Sequence, residues 1–295
     1  MAVPSPARAS MPAIAPRVAA IPAPVRSGFV DRSGCRVFFE VAGHGPAIVF
    51  AHGLGSNQLT WWQQVAHFAD RYTCIAFSHR GYPPSSTVGV PDPDEFAGDL
   101  AALIEHLGLD DVCLVGQSMG GLTCLEYLLA HPRHRVRALV LASTSGSIRK
   151  AAIPLADPQR LAAWERTAAA TRADLQRRGI APPAGERMAR VQPALHQLYR
   201  SIAIASNAFD REELRRRLDA LSQRLPDVLR GLTVPTLFVT GGDDTTFAPF
   251  LAEPLAATMP DARVEHVADA GHSVYFERAP RFNLLVERFL APLGS

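Results

Sequence analysis

The fold of this chain is decided by the stretch Leu114-Val115-Gly116-Gln117-Ser118-Met119-Gly120-Gly121. An apolar run over residues 112–115 leads into it, and leucines at helical spacing follow it. This pattern predicts a strand, a sharp turn and a helix. A turn that lifts a serine oxygen above a sheet strains the backbone, so glycines are needed two residues to either side. Gly116 and Gly120 occupy both places, and we interpret Ser118 as a nucleophile.

The helix that begins after Ser118 strengthens this interpretation. It would direct its free backbone amides and the positive end of its dipole toward the place where negative charge develops. Glycine and serine are common residues, however, and an ordinary strand-to-helix turn fits the same five positions. The interpretation of Ser118 therefore depends on residues elsewhere in the chain.

Composition and charge bound the class of protein. A length of 295 residues suits one large α/β domain or two small ones. Apolar residues make up 47% and charged residues 20%, as in ordinary soluble proteins, and the net charge of +2 favours neither nucleic acid nor an acidic membrane as partner. No apolar stretch approaches the roughly 18 to 20 residues that span a bilayer. We therefore expect a soluble, cytoplasmic protein.

Cysteines and histidines give no pattern typical of a metal site. The cysteines stand far apart and form no Cys-x-x-Cys pair, at Cys35, Cys74, Cys113 and Cys124. We predict that they are buried free thiols in a reducing compartment. His131 and His134 have ligand-like spacing, but no carboxylate or cysteine cluster accompanies them, so we interpret them as a polar helix terminus. The sequence therefore predicts no metal and no cofactor.

Strand and helix patterns alternate along most of the chain. Besides the strand before Ser118, apolar runs predict strands at 35–41, 47–51, 72–77, 136–141, 236–240 and 263–267. Amphipathic patterns predict helices at 59–68, 94–107 and 248–257 and over the last residues from Phe282. This alternation indicates an α/β fold with a mostly parallel, twisted sheet flanked by helices, which binds ligands at the carboxyl ends of its strands.

Two parts of the chain lack this alternation. Residues 1–27 are rich in Ala and Pro and should form a disordered or flexible extension; a targeting peptide is the alternative. Residues 146–229 contain no convincing strand and indicate several helices, one of which begins at Asp210 with a capping-box-like sequence. Its apolar face is predicted to carry Leu214, Leu218, Leu221 and Leu225. We predict that they form a helical cap inserted into a core of residues 28–145 and 230–295. We interpret the charges of the cap as a solvated face.

A serine hydroxyl needs a base to accept its proton, and the base needs an acid to orient it. His272 lies in a glycine-preceded loop directly after a predicted strand, and we predict that it is the base. Other histidines after Ser118 fall in a helix end, the cap or a strand, at His131, His134, His196 and His266. For the acid, Asp243 and Asp244 both follow the strand at 236–240. We prefer Asp244, because the turn would leave its side chain pointing inward.

The loop after the strand at 47–51 is a candidate oxyanion-binding loop. A glycine-rich loop at the end of a buried strand can present backbone amides to a ligand. Leu54 from this loop, and Met119 directly after the nucleophile, are predicted to donate backbone N–H groups to the oxyanion. His52 and Gly53 are predicted to contact the substrate.

Five stretches, in order, resemble the α/β-hydrolase superfamily. They are Phe50-Ala-His52-Gly53-Leu54-Gly55, His79-Arg80-Gly81-Tyr82, Gly116-Gln-Ser118-Met-Gly120-Gly121, Gly241-Gly-Asp-Asp244 and Gly271-His272-Ser-Val-Tyr-Phe-Glu277. The resemblance extends from about residue 28 to the end and implies the α/β-hydrolase fold with the chain order Ser, acid, His. One loop departs from the family. Where relatives read Asp-x-Arg-Gly-x-Gly-x-Ser, this chain has Ser78 and Pro83-Pro84 beside the pocket.

The residue type at the nucleophile position narrows the chemistry that the resemblance implies. Ser118 rather than an aspartate argues against the epoxide hydrolase and haloalkane dehalogenase branches and implies an acyl-enzyme. We therefore expect a serine hydrolase that acts on a carboxylic ester or lactone. Alternatives are a cofactor-free perhydrolase, a carbon–carbon bond hydrolase, and a ligand sensor on a hydrolase scaffold. The sequence does not indicate the oligomeric state.

Overall fold

A computed structural model describes residues 25–131, 136–155 and 157–293 of the chain. The extension predicted for residues 1–27 lies outside this range except for its last three residues, and so does His134. Arg26 already belongs to the first strand, which begins before residue 28, where the sequence predicted the core to start.

The described residues contain one nine-stranded sheet. Its strands are β1 Arg26–Arg32, β2 Cys35–Ala42, β3 Ala47–Ala51, β4 Thr73–Phe77, β5 Ser86–Thr87, β6 Val112–Gln117, β7 Val136–Ala142, β8 Thr236–Gly241 and β9 Ala262–Val267. Their order is β1-β2-β4-β3-β6-β7-β8-β9, with the short β5 paired to β2. The pairings β4–β3, β3–β6, β6–β7, β7–β8 and β8–β9 are parallel. At one edge, β2 pairs antiparallel with β1, β4 and β5. The prediction of a mostly parallel sheet is therefore confirmed.

Helices flank the sheet and form the insertion. They are α1 Trp62–Phe68, α2 Phe96–His106, α3 Met119–Ala130, α4 Pro158–Arg177, α5 Gly185–Val191, α6 Pro193–Ala205, α7 Arg211–Leu221, α8 Ala252–Ala256, α9 Val274–Glu277 and α10 Ala279–Leu290. Short 3₁₀ turns lie at Gln58–Trp61, Pro93–Glu95, Lys150–Ala152, Pro226–Gly231, Pro249–Leu251 and Ala291–Leu293. Helices α4 to α7 lie between β7 and β8, as the predicted helical insertion requires.

The central strands are apolar on both faces because helices cover both sides of the sheet. All residues of β3, β6 and β8 are buried. Val49 belongs to a core cluster on one face together with residues of α2 and α3, whereas the next residue along β3, Phe50, belongs to the cluster on the other face. That second cluster contains the apolar face of α10 from Phe282 to Leu290, so this helix packs on the sheet as predicted.

Helix α7 begins as predicted but ends early. The Asp210 side chain accepts hydrogen bonds from the backbone N–H groups of Glu212 and Glu213, at 2.9 and 3.1 Å. Leu214 on its inner face is fully buried. The helix ends at Leu221, however, so Leu225 lies beyond it and is 50% exposed, although its spacing suggested the same buried face.

Two further predictions concern cysteines and membranes. All four cysteines are buried and free, as predicted. Within the described ranges, no helix combines the length and apolar character that crossing a membrane requires. No cluster of three or more His, Cys, Asp or Glu side chains suited to a metal ion occurs in that same part of the chain.

Candidate active site

The turn between β6 and α3 places Ser118 at the carboxyl end of a central strand. Ser118 has φ of 51° and ψ of −115°, a backbone conformation that residues with a side chain rarely adopt. Close packing explains the glycine at 120, because a Cβ there would lie 2.0 Å from the carbonyl oxygen of Ala51. A Cβ at Gly116 would lie 2.5 Å from the carbonyl oxygen of Gly120. The strained turn and its two obligatory glycines are therefore both present.

His272 and Asp244 meet because their loops follow adjacent parallel strands, β9 and β8. His272 Nδ1 lies 2.8 Å from Asp244 Oδ2, and both residues are buried, at 5% and 3% exposure. Asp244 Oδ1 accepts hydrogen bonds from the backbone N–H groups of Thr246 and Phe247, at 2.7 and 2.9 Å. Since Nδ1 donates to the carboxylate, Nε2 is the ring nitrogen left to exchange a proton.

Asp243, the alternative acid, has a different environment. Its side chain is half exposed and forms an ion pair with Arg187 of α5, at 3.1 Å. The geometry therefore joins His272 to Asp244 and turns Asp243 outward, in the arrangement that the sequence favoured.

Ser118 and His272 line one cavity of about 670 Å³, a volume that suits a small molecule. No hydrogen bond joins the Ser118 hydroxyl to the His272 ring among the described residues. Catalytic hydrogen bonds are often long in unliganded sites and shorten when substrate binds. The two side chains thus face the same space, in which a substrate carbonyl would meet both.

Leu54 and Met119 line the same cavity. The carbonyl oxygen of Gly53 accepts hydrogen bonds from His52 Nδ1 at 2.9 Å and from the backbone N–H and hydroxyl of Ser56, each at 3.2 Å. This carbonyl belongs to the planar peptide that carries the Leu54 N–H on its opposite side, so the three bonds fix the direction of that N–H. The Met119 N–H is at the first position of α3, where helices leave amides without an internal partner.

A chain of buried hydrogen-bonding groups connects the Leu54 loop to the start of α3. His52 Nε2 accepts the backbone N–H of His79 at 3.0 Å, and His79 Nε2 lies 2.9 Å from the hydroxyl of Thr123. That hydroxyl lies 3.3 Å from the carbonyl oxygen of Met119. Burial lowers the pKa of His52 to about 3 and that of His79 well below its usual value, so both rings are uncharged near neutral pH.

The structure buries His52 and Gly53, which the sequence predicted to contact substrate. Neither is among the described residues that line the cavity. His52 is completely buried, and a Cβ at Gly53 would lie 2.1 Å from Oε1 of Gln117. Their contacts indicate support of the Leu54 peptide rather than contact with substrate.

The sequence did not reveal two further supports of this loop. The Tyr82 hydroxyl donates to the carbonyl oxygen of Leu54 at 2.9 Å. Arg80 makes two hydrogen bonds of 2.6 Å to the buried carboxylate of Asp99 and thereby ties the Tyr82 loop to α2. In the sequence, residues 79–82 stand out only through their resemblance to the α/β-hydrolase superfamily. The sequence signal for a buried network was that three polar or aromatic residues, His79, Arg80 and Tyr82, follow a buried strand.

The sequence offers Trp61, Trp62, Trp164 and Phe247 as pocket walls, and two of these four line the cavity. Trp164 of α4 and Phe247 line it. Trp61 packs in the core against Phe50 and Tyr275, and Trp62 is 47% exposed. One wall of the cavity therefore comes from the cap and another from the loop after β8.

Comparison with known proteins places this architecture among characterised ones. A family model described as alpha/beta hydrolase fold matches residues 46–279. Over 107 residues the chain is 38% identical to 3-oxoadipate enol-lactonase 2 of Acinetobacter baylyi, a match that covers 36% of this chain. The chain spans 40% of the length of that lactonase.

Solved structures match over nearly the whole chain. A thermophilic esterase from Thermogutta terrifontis aligns with a TM-score of 0.71 and 23% identity, covering 92% of this chain and 100% of its own. A bromoperoxidase from Bacillus anthracis aligns with a TM-score of 0.73 and 23% identity, covering 91% of this chain and 100% of its own. At these identities the likeness shows a shared fold alone.

Proposed function

The chain belongs to the α/β-hydrolase fold family, and we propose that it is a serine hydrolase that cleaves a carboxylic ester or lactone through an acyl-enzyme. One observation carries the proposal. The buried contact between Asp244 and His272, at 2.8 Å, opens on the cavity that Ser118 lines from a strained turn. A hydroxyl, an imidazole and a carboxylate in that relation are what acyl transfer requires.

In the proposed first half-reaction, Ser118 Oγ attacks the substrate carbonyl carbon while His272 Nε2 takes the hydroxyl proton. The carbonyl oxygen becomes an oxyanion that accepts hydrogen bonds from the N–H groups of Leu54 and Met119. Asp244 holds the ring in the required tautomer and stabilises the imidazolium. The bond to the alkoxy oxygen then breaks, and the departing oxygen receives the proton from His272. With a lactone, the new alcohol stays attached to the acyl group.

The second half-reaction uses the same groups with water as the nucleophile. His272 removes a proton from a water molecule, which attacks the carbonyl carbon of the acyl-enzyme. The tetrahedral intermediate collapses, Ser118 Oγ leaves and recovers its proton from His272, and the carboxylic acid departs. Each cycle therefore consumes one water molecule and restores the free hydroxyl.

The buried histidine pair has a supporting part in this proposal. His52 fixes the Gly53 carbonyl, and with it the peptide plane of the Leu54 N–H, while His79 and Thr123 connect that loop to α3. A donor must be in place before charge develops if it is to lower the barrier. Removing one such donor typically costs on the order of 10² to 10³ in rate.

A perhydrolase is the second candidate, since the chain is 28% identical over 272 residues to a putative non-heme bromoperoxidase of Mycobacterium tuberculosis, a match that covers 87% of this chain and 98% of that protein. The acyl-enzyme would be the same, but hydrogen peroxide in place of water would attack it and release a peracid. Product analysis separates the two reactions. With an ester substrate and added peroxide, a perhydrolase accumulates peracid, whereas an esterase or lactonase releases only the carboxylic acid.

The proposal is tested by Ser118→Ala with 4-nitrophenyl acetate as substrate. We expect kcat to fall by a factor on the order of 10⁴ or more, since the acyl-enzyme cannot form. The fold should remain, because the hydroxyl of a half-buried turn residue is removed and no core contact is lost.

A matched control is Ser206→Ala, which removes a buried hydroxyl that donates to the carbonyl oxygen of Ile202 and is not among the described residues that line the cavity. It should retain most of the wild-type rate. Comparable activity in Ser118→Ala and wild type, with both proteins folded by circular dichroism, would refute the assignment of Ser118.

A further inference from the structure

The cavity beside Ser118 has an apolar part and a charged rim. The core supplies apolar side chains around the serine, among them Leu54, Leu122 and Phe247. The cap and the segment that leads into it supply four cationic side chains, namely Arg149, Lys150, Arg172 and Arg215. Only two carboxylates, Glu165 and Asp219, are among the described residues that line the same cavity, so its wall carries an excess of two positive charges.

Most of these cations have no acidic partner. In the part of the chain that the structure describes, no ion pair within 4.0 Å joins Arg149, Lys150 or Arg172 to a carboxylate, and Arg215 has only an exposed contact of 3.7 Å with Glu212. Cap arginines elsewhere do pair closely, as Arg178 with Glu186, Arg187 with Asp243 and Arg217 with Glu213. The cations of the cavity wall therefore keep their charge available for a ligand.

Arg172 connects this rim to the proposed catalytic residues. Its guanidinium, on α4, donates a hydrogen bond to the carbonyl oxygen of Thr245, the residue that follows Asp244. A guanidinium has five N–H donors in a fixed plane, so this one bond leaves others for an anion. Arg172 is partly buried, whereas Arg149 and Lys150 are exposed.

We propose that the substrate is an anionic ester or lactone whose carboxylate binds the rim formed by Arg149, Lys150, Arg172 and Arg215. Its apolar segment would then occupy the space beside Leu54 and Phe247, with the reacting carbonyl at Ser118. This inference rests on the proposed function, since it names the substrate class of the same site. It also revises the sequence-based interpretation of the cap charges as a merely solvated face. A cleft whose wall carries an excess of one sign of charge attracts ligands of the opposite sign and raises their local concentration, by on the order of 10-fold or more where the field is strong.

Binding to Ser118→Ala tests the inference without requiring turnover. The probes are monoethyl pimelate, which carries a terminal carboxylate, and the same ester with that carboxylate replaced by a neutral primary amide of equal size. Isothermal titration calorimetry at low salt gives both dissociation constants. We expect the carboxylate ester to bind at least about 10-fold more tightly, and this preference to shrink in 0.5 M sodium chloride because salt screens exposed charges.

Two double variants in the Ser118→Ala background locate the effect. Arg149→Gln with Lys150→Gln removes two rim cations and should abolish most of the preference. Arg166→Gln with Arg177→Gln removes the same charge from exposed positions of α4 that do not line the cavity, and should preserve it. Equal binding of the two probes, or an undiminished preference in the rim variant, would overturn the inference.

Hydrolysis of the same probes by the wild-type chain separates this inference from the proposed function. Hydrolysis of both esters at equal kcat/KM, together with equal binding, would retain the serine hydrolase and reject the anionic substrate. Absence of hydrolysis for every ester tested, with a rim-dependent binding preference, would reject the hydrolase and retain an anion-selective site.

Discussion

At the scale of single residues, two identical side chains can have different roles because their surroundings differ. Asp243 and Asp244 are neighbours in sequence, yet one forms an exposed ion pair with Arg187 and the other is buried against His272. The sequence favoured Asp244 from the expected direction of a turn. It could not show the two backbone N–H groups that hold the second carboxylate oxygen, because these depend on how the following loop folds back.

This difference predicts different outcomes for two conservative variants. Asp244→Asn should lower kcat by a factor on the order of 10⁴, because an amide cannot hold the His272 tautomer or stabilise its positive charge. Asp243→Asn removes the same charge one residue away and should leave kcat within a factor of about two, since surface ion pairs contribute little. Steady-state hydrolysis of 4-nitrophenyl acetate measures both. Equal losses in the two variants would contradict the assignment.

At the scale of elements, local signals predicted the strand, turn and helix around Ser118. These local signals failed where contacts between residues distant in sequence determine the structure. Strand β1 contains Ser27 and Gly28, which have little tendency to form strands, and it forms because it pairs with β2. The ring of Phe39 occupies the place of a side chain over Gly28, where a Cβ would lie 2.8 Å from it. Such a cross-strand contact leaves no periodic pattern in either segment.

The close approach of α3 to β3 predicts a severe effect of a single methyl group. Gly120→Ala would place Cβ 2.0 Å from the carbonyl oxygen of Ala51, so helix or strand must move. We expect destabilisation of about 1 to 3 kcal/mol or more, with loss of activity as the turn shifts. Urea unfolding and ester hydrolysis measure these effects.

Gly231→Ala serves as the comparison, because a Cβ there meets no atom within 4 Å and the residue has no left-handed backbone. That variant should keep wild-type activity and most of its stability. If Gly120→Ala had the same activity and stability as Gly231→Ala, the close contact between Gly120 and Ala51 would be contradicted.

At the scale of the whole molecule, the sheet collects groups that are far apart in sequence. The loops after β3, β6, β8 and β9 share one edge and bring together Leu54, Ser118, Asp244 and His272. Strand alternation was enough to predict this convergence. The orientation of the cap over the site could not be predicted, because helices such as α4 can pack in many orientations. From the sequence alone, Trp164 could equally have been a core residue.

The buried histidines predict how global stability depends on pH. His52 has a pKa of about 3 in the folded chain, below the ordinary value of about 6.5 in the unfolded chain. The unfolded chain therefore binds more protons between these values, so stability is present above about pH 6.5 and is lost as pH falls. His79 acts in the same direction. From pH 7.5 to 5.5 we expect a loss of about 1 kcal/mol from His52, to which His79 adds in the same direction.

Urea unfolding at the two pH values tests this expectation. His79→Gln should flatten the dependence, whereas His44→Gln removes an exposed histidine and controls for the loss of a histidine in general. A wild-type chain with equal stability at pH 7.5 and 5.5, or His44→Gln with the larger effect, would contradict the buried, uncharged pair.

The central claim is that Ser118 is a nucleophile activated by His272 and Asp244, and covalent labelling with a fluorophosphonate tests it most directly. Intact-mass and peptide mass spectrometry should find one adduct, on Ser118, formed rapidly in the wild type and slowly in Asp244→Asn. Ser118→Ala should remain unlabelled. An adduct on another serine, or an unmodified Ser118 in a chain that hydrolyses esters, would contradict the account.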